Sequence, residues 1–240
     1  MPNPTAAMLV IGDEILSGRT RDANLHFLAN ELTEIGIDLN EVRIISDKTD
    51  AIVFAVQELS TKYQHVFTSG GIGPTHDDLT ADAVALAFGR AIDVRVDAVN
   101  ILQSYYAKQG LALNEARLRM ARIPEGANLI DNPISSAPGF RLHNVYVMAG
   151  VPVIFKSMVA NVLPSLKGGL PLVSETIRIE LGEGDIADLL AQTADAFPNV
   201  LMGSYPFQKD GMYGTNLVLR SSDKTLLMRA KKQLIELISS

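Results

Sequence analysis

Short, continuously apolar runs alternate along this chain with stretches in which apolar residues return every third or fourth position. Ala6-Ala7-Met8-Leu9-Val10-Ile11 is a run of the first kind, closed by Gly12. It suits a strand buried on both faces. Leu25, Leu28, Ala29, Leu32 and Ile35 then share one helix face, with Gly36 as the stop. A second strand falls within residues 37–45. Asp50 is placed to cap the next helix, with Ile52, Val53, Val56 and Leu59 inward. A third strand near residues 65–68 runs into a glycine loop. Leu79, Ala83, Leu86 and Ala87 follow at helical spacing, ending before Gly89. The order βαβαβα predicts an α/β fold, a doubly wound, mostly parallel sheet with right-handed crossovers.

The middle is less regular. Asp97 is placed to cap a helix through Val99, Leu102, Tyr105 and Tyr106, and Asn114 a second one reaching Ala121. Tyr105 and Tyr106 read as packing. Arg117, Arg119 and Arg122 either meet phosphates or form a solvated face. The stretch from Asn132 to Gly139 reads as a stiff loop with two prolines, either a ligand wall or a plain connection; Gly139 allows a positive φ there. Val145 to Ala149 forms a further buried strand, and Pro152 sits well at the first position of a helix. Lys167-Gly168-Gly169 marks a boundary between a domain of residues 1–167 and a small α+β (βαββα) domain of residues 170–240. In the second, strands fall at 176–181, 200–205 and 217–220, with a turn at Asp210-Gly211 and Asp185 and Asp223 as caps. Gly203-Ser204-Tyr205-Pro206 interrupts the middle strand and could reach the first domain's crevice. The tail is read as structural or oligomeric.

Composition narrows the function classes. With 240 residues and 47% hydrophobic content the chain can bury a real core. A net charge of −6 disfavours a nucleic-acid partner. The absence of cysteine excludes disulfides and thiolate chemistry and fits a reducing cytoplasm. No signal peptide or membrane span is visible.

The candidate chemistry lies in Thr68-Ser69-Gly70-Gly71-Ile72-Gly73-Pro74-Thr75-His76-Asp77-Asp78-Leu79-Thr80. Glycines let the backbone turn and approach a ligand, and open N–H groups at a helix start attract an anion. Two carboxylates in the same loop call for a hard cation, Mg²⁺ or another divalent metal. Thr75 and Asp78 also stand at capping-box spacing, so Asp78 is either structural or a metal ligand. A second acidic glycine loop, Gly12-Asp13-Glu14-Ile15-Leu16-Ser17-Gly18, follows the first strand. In an open sheet both loops lie at strand carboxyl ends and can face one crevice.

In this order, these two loops with Ala137-Pro138-Gly139-Phe140 and Gly150-Val151-Pro152 resemble the MoCF, or molybdopterin-binding-like, domain. It is seen in MoaB, MogA and MoeA, in CinA, and in eukaryotic FAD synthases. The Gly-Asp-Glu-Ile-Leu form and the tail's Gly-Ser-Tyr-Pro lean toward the FAD synthase N-terminal domain. The resemblance implies a three-layer αβα sandwich of MogA/MoaB type and a homo-oligomer, dimer or trimer. It also implies a small phosphorylated ligand held by Gly12, Gly18, Ser69, Gly70, Gly71, Gly73, Thr75, Pro138, Gly139, Gly150 and Pro152. It implies either metal-dependent hydrolysis of a nucleotide pyrophosphate (FAD or ADP-ribose) or non-catalytic binding of molybdopterin. No adenylyl-transfer or deamidase module is expected in the sequence. In the hydrolytic reading Asp77 and Asp78 hold the metal, and Asp13 or Glu14 completes its shell or takes a proton. His76 acts as acid or base or is simply exposed. One departure stands out: CinA-like sequences usually carry Glu where this chain has Ile154.

Overall fold

A computed structural model describes residues 2–209 and 211–239. Asp210, half of the expected turn, lies outside the described residues. The chain divides into two compact units, one ending at Gly169 and one beginning at Leu170.

The first unit opens with β1 (Thr5–Ile11), α1 (Asp13–Leu16), α2 (Asn24–Glu34), β2 (Asp38–Ile45), α3 (Thr49–Lys62) and β3 (His65–Ser69). It continues with α4 (Thr80–Ala87), β4 (Ile92–Val94), α5 (Val96–Lys108), α6 (Glu115–Leu118), β5 (Arg122–Pro124) and β6 (Asn128–Ile130). It closes with β7 (Gly139–Leu142), β8 (Val145–Met148) and α7 (Pro152–Val162). The main sheet runs β2-β1-β3-β8-β7-β6. The first four strands are parallel, and β7 and β6 are antiparallel to their neighbours.

Two cores explain the apolar runs. Ala7, Leu9 and Ile11 face Ile52, Leu59, Ala83 and Leu102 on one side of the sheet. Ala6, Met8 and Val10 face Leu28, Leu32, Phe155 and Val159 on the other. With helices on both faces, β1 has no polar side, so its pattern cannot alternate. Each fully buried aliphatic side chain contributes roughly 1.5–3 kcal/mol, so this layered burial dominates the fold.

Several local expectations are corrected. Asp50 and Asp97 are not caps: α3 is entered from Lys48 and α5 from Arg95, neither with a side-chain cap. Both aspartates sit in the first turn instead, where a negative charge suits the helix dipole. Asp97 also takes two bonds from Arg95, at 2.7 and 2.9 Å. Asn114 does cap its helix as expected, accepting from the Arg117 amide at 3.0 Å, and a 3-10 turn over Arg119–Ala121 carries the helical segment to Ala121. Leu86 is 60% exposed; Thr80, Ala83, Val84 and Ala85 form the inner face of α4.

The second unit contains β9 (Val173–Ile179), α8 (Glu183–Ala196), β10 (Leu201–Lys209), β11 (Met212–Ser221) and α9 (Lys224–Ile238). Its antiparallel sheet, β10-β11-β9, packs Leu217 and Leu219 against Ile186, Leu227, Ala230 and Leu234. Asp223 caps α9 by accepting from the Leu226 amide at 2.9 Å. Asp185 lies one turn inside α8 and reaches back to the Gly182 amide at 3.1 Å, so Gly182 is the cap position. Gly203 to Pro206 do not interrupt the strand; they pair continuously with Val218 to Thr215. Pro206 is tolerated because β10 is an edge strand. Among the described residues no helix is long and apolar enough to cross a membrane.

Candidate functional site

β1 leads to β2 on one side and has β3 on the other, so the strand order reverses there. Such a switch point opens a crevice beyond the carboxyl ends of the strands. A cavity of about 530 Å³ occupies this place, a size suited to a small-molecule ligand. Ile11, Glu14 and Thr20 line it from the β1 side, and Asp47 from the end of β2. Gly70, Gly71, Ile72, Gly73, Pro74, Asp77 and Asp78 line it after β3. Asn132, Ser135 and Ala137 come from the β6–β7 connection, Ala149 to Pro152 and Ile154 from the β8–α7 turn, and Met120 from the segment before β5.

The glycine loop has two jobs. Gly70 has φ +110°, and a Cβ there would stand 2.2 Å from the Ile11 carbonyl oxygen. Its close approach is to β1, and its amide is already bonded to the Met148 oxygen at 3.1 Å. The Gly12 amide is likewise spent, on the Ile45 oxygen at 3.1 Å. Among the described residues the amides of Gly71, Ile72 and Gly73 donate to no protein acceptor. These three residues line the crevice, whereas the Thr80 amide at the start of α4 closes on the Gly71 oxygen at 3.0 Å.

The acids of both loops meet here, with one exception. The Glu14 carboxylate folds back over Gly12, where a Cβ would meet its Oε2 at 2.6 Å. Asp13 is exposed and is not among the lining residues; its amide donates to Asp47 Oδ2 at 2.8 Å. Asp78 Oδ2 accepts from the Thr75 amide at 2.8 Å and the Thr75 hydroxyl at 2.6 Å. The local turn and the crevice therefore share Asp78. The Thr75 hydroxyl, the residue's own amide and His76 hold the Asp77 carboxyl below the ordinary aspartate range. Thr75 has one hydroxyl proton and serves one carboxylate at a time; its 2.6 Å bond goes to Asp78. His76 is 99% exposed at the loop tip, 3.9 Å from Asp77, and does not line the cavity.

Other expected contacts are braces. The buried Ser69 hydroxyl accepts from Asn24 Nδ2 at 2.7 Å, and the same nitrogen donates to the Gly150 oxygen at 2.7 Å. Pro138 is buried beside Arg119 and Arg122, outside the crevice. Gly139 lies in β7, where a Cβ would stand 2.3 Å from the Val147 oxygen; the positive φ expected there falls at Ser136. Gly18 is exposed at the end of α1, clear of the lining. Gly150 and Pro152 do line the crevice. The three arginines do not: Arg117 lies over the Tyr106 ring, Arg122 pairs with Asp82, and Arg119 donates to the carbonyls of Thr75 and Asp78 at 3.2 and 3.5 Å. Arg119 thus pins the motif loop from outside.

Asp47 was not legible as a site residue. The available signal was its position just past an apolar run whose carboxyl end shares an edge with the two glycine loops. Burial, then the charges of Glu14, Asp13 and Asp77, hold its carboxyl above the ordinary aspartate range, against the Asp13 amide bond. Its contribution to stability is therefore complete below the unfolded value and is lost as pH rises through the folded one. Asp47→Asn keeps an oxygen for the Asp13 amide. It is expected to raise Tm at about pH 7 and change it little at about pH 3. Calorimetry at both pH values checks this, and an equal shift at both would show that the buried charge of Asp47 is not the cause.

Among the described residues no three acidic or histidine side chains gather closely enough to hold a metal alone. No Lys, Arg or His lines the crevice either. The donors are hard carboxylate oxygens, and Mg²⁺ commonly takes one or two carboxylates, with phosphate and water completing its shell. Four acids beside open amides, without a basic side chain, fit that use.

The family model described as "Probable molybdopterin binding domain" matches residues 7–168, and "FAD synthase, middle domain" matches residues 171–240. The chain belongs to the probable molybdopterin-binding-domain family and carries a second segment of FAD synthase middle-domain type. A "Probable FAD synthase" of Caenorhabditis elegans is 34% identical over 262 residues, covering 98% of this chain and 50% of that protein. The chain thus spans about half the length of this relative. A protein of Archaeoglobus fulgidus is 31% identical and covers 97% of each chain. The solved structure of CinA from Thermoplasma acidophilum, titled as of unknown function, is 30% identical with a TM-score of 0.62. It covers 67% of this chain and 98% of that one.

Proposed function

We propose that the crevice binds a nucleotide through its phosphates and hydrolyses a diphosphate bridge of the FAD or ADP-ribose kind with a divalent cation. One observation carries this reading: Glu14, Asp47, Asp77 and Asp78 line the same cavity as the open amides of Gly71 to Gly73, and among the described residues no Lys, Arg or His lines it. Likeness to the probable FAD synthase of Caenorhabditis elegans supports a nucleotide ligand.

Asp77 and the free oxygen of Asp78 would hold the cation, which when bound supplies charge stabilisation at the phosphoryl oxygens. The loop amides orient one phosphate. Glu14, the acid of the first loop that lines the crevice, accepts the proton of a water molecule as its oxygen attacks one phosphorus. The bridging P–O bond breaks, and the two halves leave as monophosphates.

Purified protein incubated with FAD or ADP-ribose and Mg²⁺, Mn²⁺ or Co²⁺ is expected to release AMP, and to stop when a chelator is added. No AMP under any of these conditions would remove the hydrolytic reading. The second reading, a non-catalytic binder of molybdopterin, is favoured by the family match over residues 7–168. Tight binding of a phosphorylated pterin without AMP release would select it.

A further inference from the structure

We propose that Ile154 is a specificity-determining residue, part of an apolar pole that seats a planar, weakly hydrogen-bonding ring of flavin rather than pterin type. This rests on the nucleotide-diphosphate reading above and names the group attached to the diphosphate.

The sheet order separates two chemistries along the crevice. Asp47 and Glu14 follow β2 and β1, the open amides with Asp77 and Asp78 follow β3, and Ala149, Val151 and Ile154 follow β8. Neighbouring strands lie about 4.8 Å apart, so the ends of β1 and β8 are about 10 Å apart with the amides between them. A phosphate held at the centre leaves its substituent to lie toward the acids or toward β8. The apolar end of a ring gains nothing on the acidic side and loses water contact on the other.

The β8 side is apolar in detail. Ala149, Val151 and Ile154 line it after β8, with Ala137 from the β6–β7 connection. Val151, on the turn into α7, lines the cavity and is still 54% exposed, a large apolar side chain left open to solvent. The polar side chains there are largely committed. Asn132 Nδ2 donates to the Ser135 hydroxyl at 2.7 Å and to the Ala137 oxygen at 2.8 Å. Asn132 Oδ1 accepts from the Ile134 and Ser135 amides, both at 3.2 Å. A pterin edge carries several donors and acceptors, and each one buried without a partner costs roughly 1–3 kcal/mol. The dimethylbenzene end of a flavin carries none. Ile154 also packs on the core with Phe155 and Val159, so its position is fixed by the fold.

Three variants of the full chain test this: Ile154→Gln, Ile154→Ala and Ile154→Leu. Kd for FAD is read by flavin fluorescence, and Kd for methyl diphosphate, which has no ring, by calorimetry, both with a chelator present so that FAD is not turned over. AMP release from FAD is followed in parallel, with Mg²⁺. The ratio of the FAD Kd to the methyl diphosphate Kd is expected to rise about tenfold or more in the Gln and Ala variants, and to stay within about threefold in the Leu variant. If Gln misfolds, Ala carries the measurement. A raised ratio without AMP release supports the role of Ile154 and overturns hydrolysis. AMP release with an unchanged ratio overturns the role of Ile154 and leaves hydrolysis standing. A pterin phosphate that binds the native chain more tightly than FAD overturns the apolar-ring assignment, and no binding of FAD overturns both readings.

Discussion

Asp77→Asn is expected to lower metal-dependent AMP release by on the order of 10²-fold or more, with Tm within a few degrees of the native protein. The side chain is 66% exposed, and its neighbours favour the ionised form. The change should therefore cost little stability: exposed substitutions usually stay within about 0.5 kcal/mol. What it removes is a full negative charge at the edge of the phosphate seat. Asp78→Asn is a different experiment. Asp78 Oδ2 holds both the amide and the hydroxyl of Thr75, bonds worth about 1 kcal/mol each. That variant should lose rate and Tm together. Rates that stay metal-dependent and undiminished in Asp77→Asn would take Asp77 out of the cation's shell. Equal Tm losses in both variants would show that the loop, and not the charge, was disturbed.

Gly70→Ala is expected to produce the largest loss of stability of any single methyl added to the site. At φ +110° an L side chain is strained, and its Cβ would collide with the Ile11 carbonyl oxygen at 2.2 Å. That oxygen belongs to the backbone of a strand paired on both sides, so it cannot swing away. Backbone strain of about 1–3 kcal/mol adds to an overpacking cost of about 1–3 kcal/mol. Together these should lower Tm by roughly 10 °C in a protein of this size. Gly18→Ala is the control: φ is +72° and nothing lies within 4 Å of the added carbon. Its cost should be near 1 kcal/mol. Equal shifts in the two variants, measured by calorimetry, would mean that the contact between β1 and the loop is not rigid.

Much of the fold was legible because burial writes itself into periodicity. The run from Ala6 to Ile11 has no polar member, and the structure places helices on both faces of that strand. The helix α2 shows its inner face in Leu28 and Leu32. Helix starts were harder to read. Asp50, Asp97 and Asp185 all stand near one, and each serves inside the first turn rather than at the cap, because an acid is favourable in both places. Leu86 fits the spacing of α4 yet faces outward. In so short a helix, one residue of rotation decides which apolar side chain is buried.

The alternation of strands and helices and the two acidic glycine loops are written in local residue order. These depend on neighbours within a few residues, whose steric and solvation preferences act locally. Only the tertiary structure decided that Asp47 faces Glu14 and Asp77, that Asp13 turns its amide to Asp47 instead of lining the crevice, and that Ser69 braces Asn24. It also decided that Glu14 and Asp47 beyond β1 and β2, Asp77 and Asp78 beyond β3, and Ala149, Val151 and Ile154 beyond β8 surround one crevice. Strand order sets those meetings. Which strand lies beside which is fixed by how the crossovers pack on the sheet, a property no single stretch of residues contains.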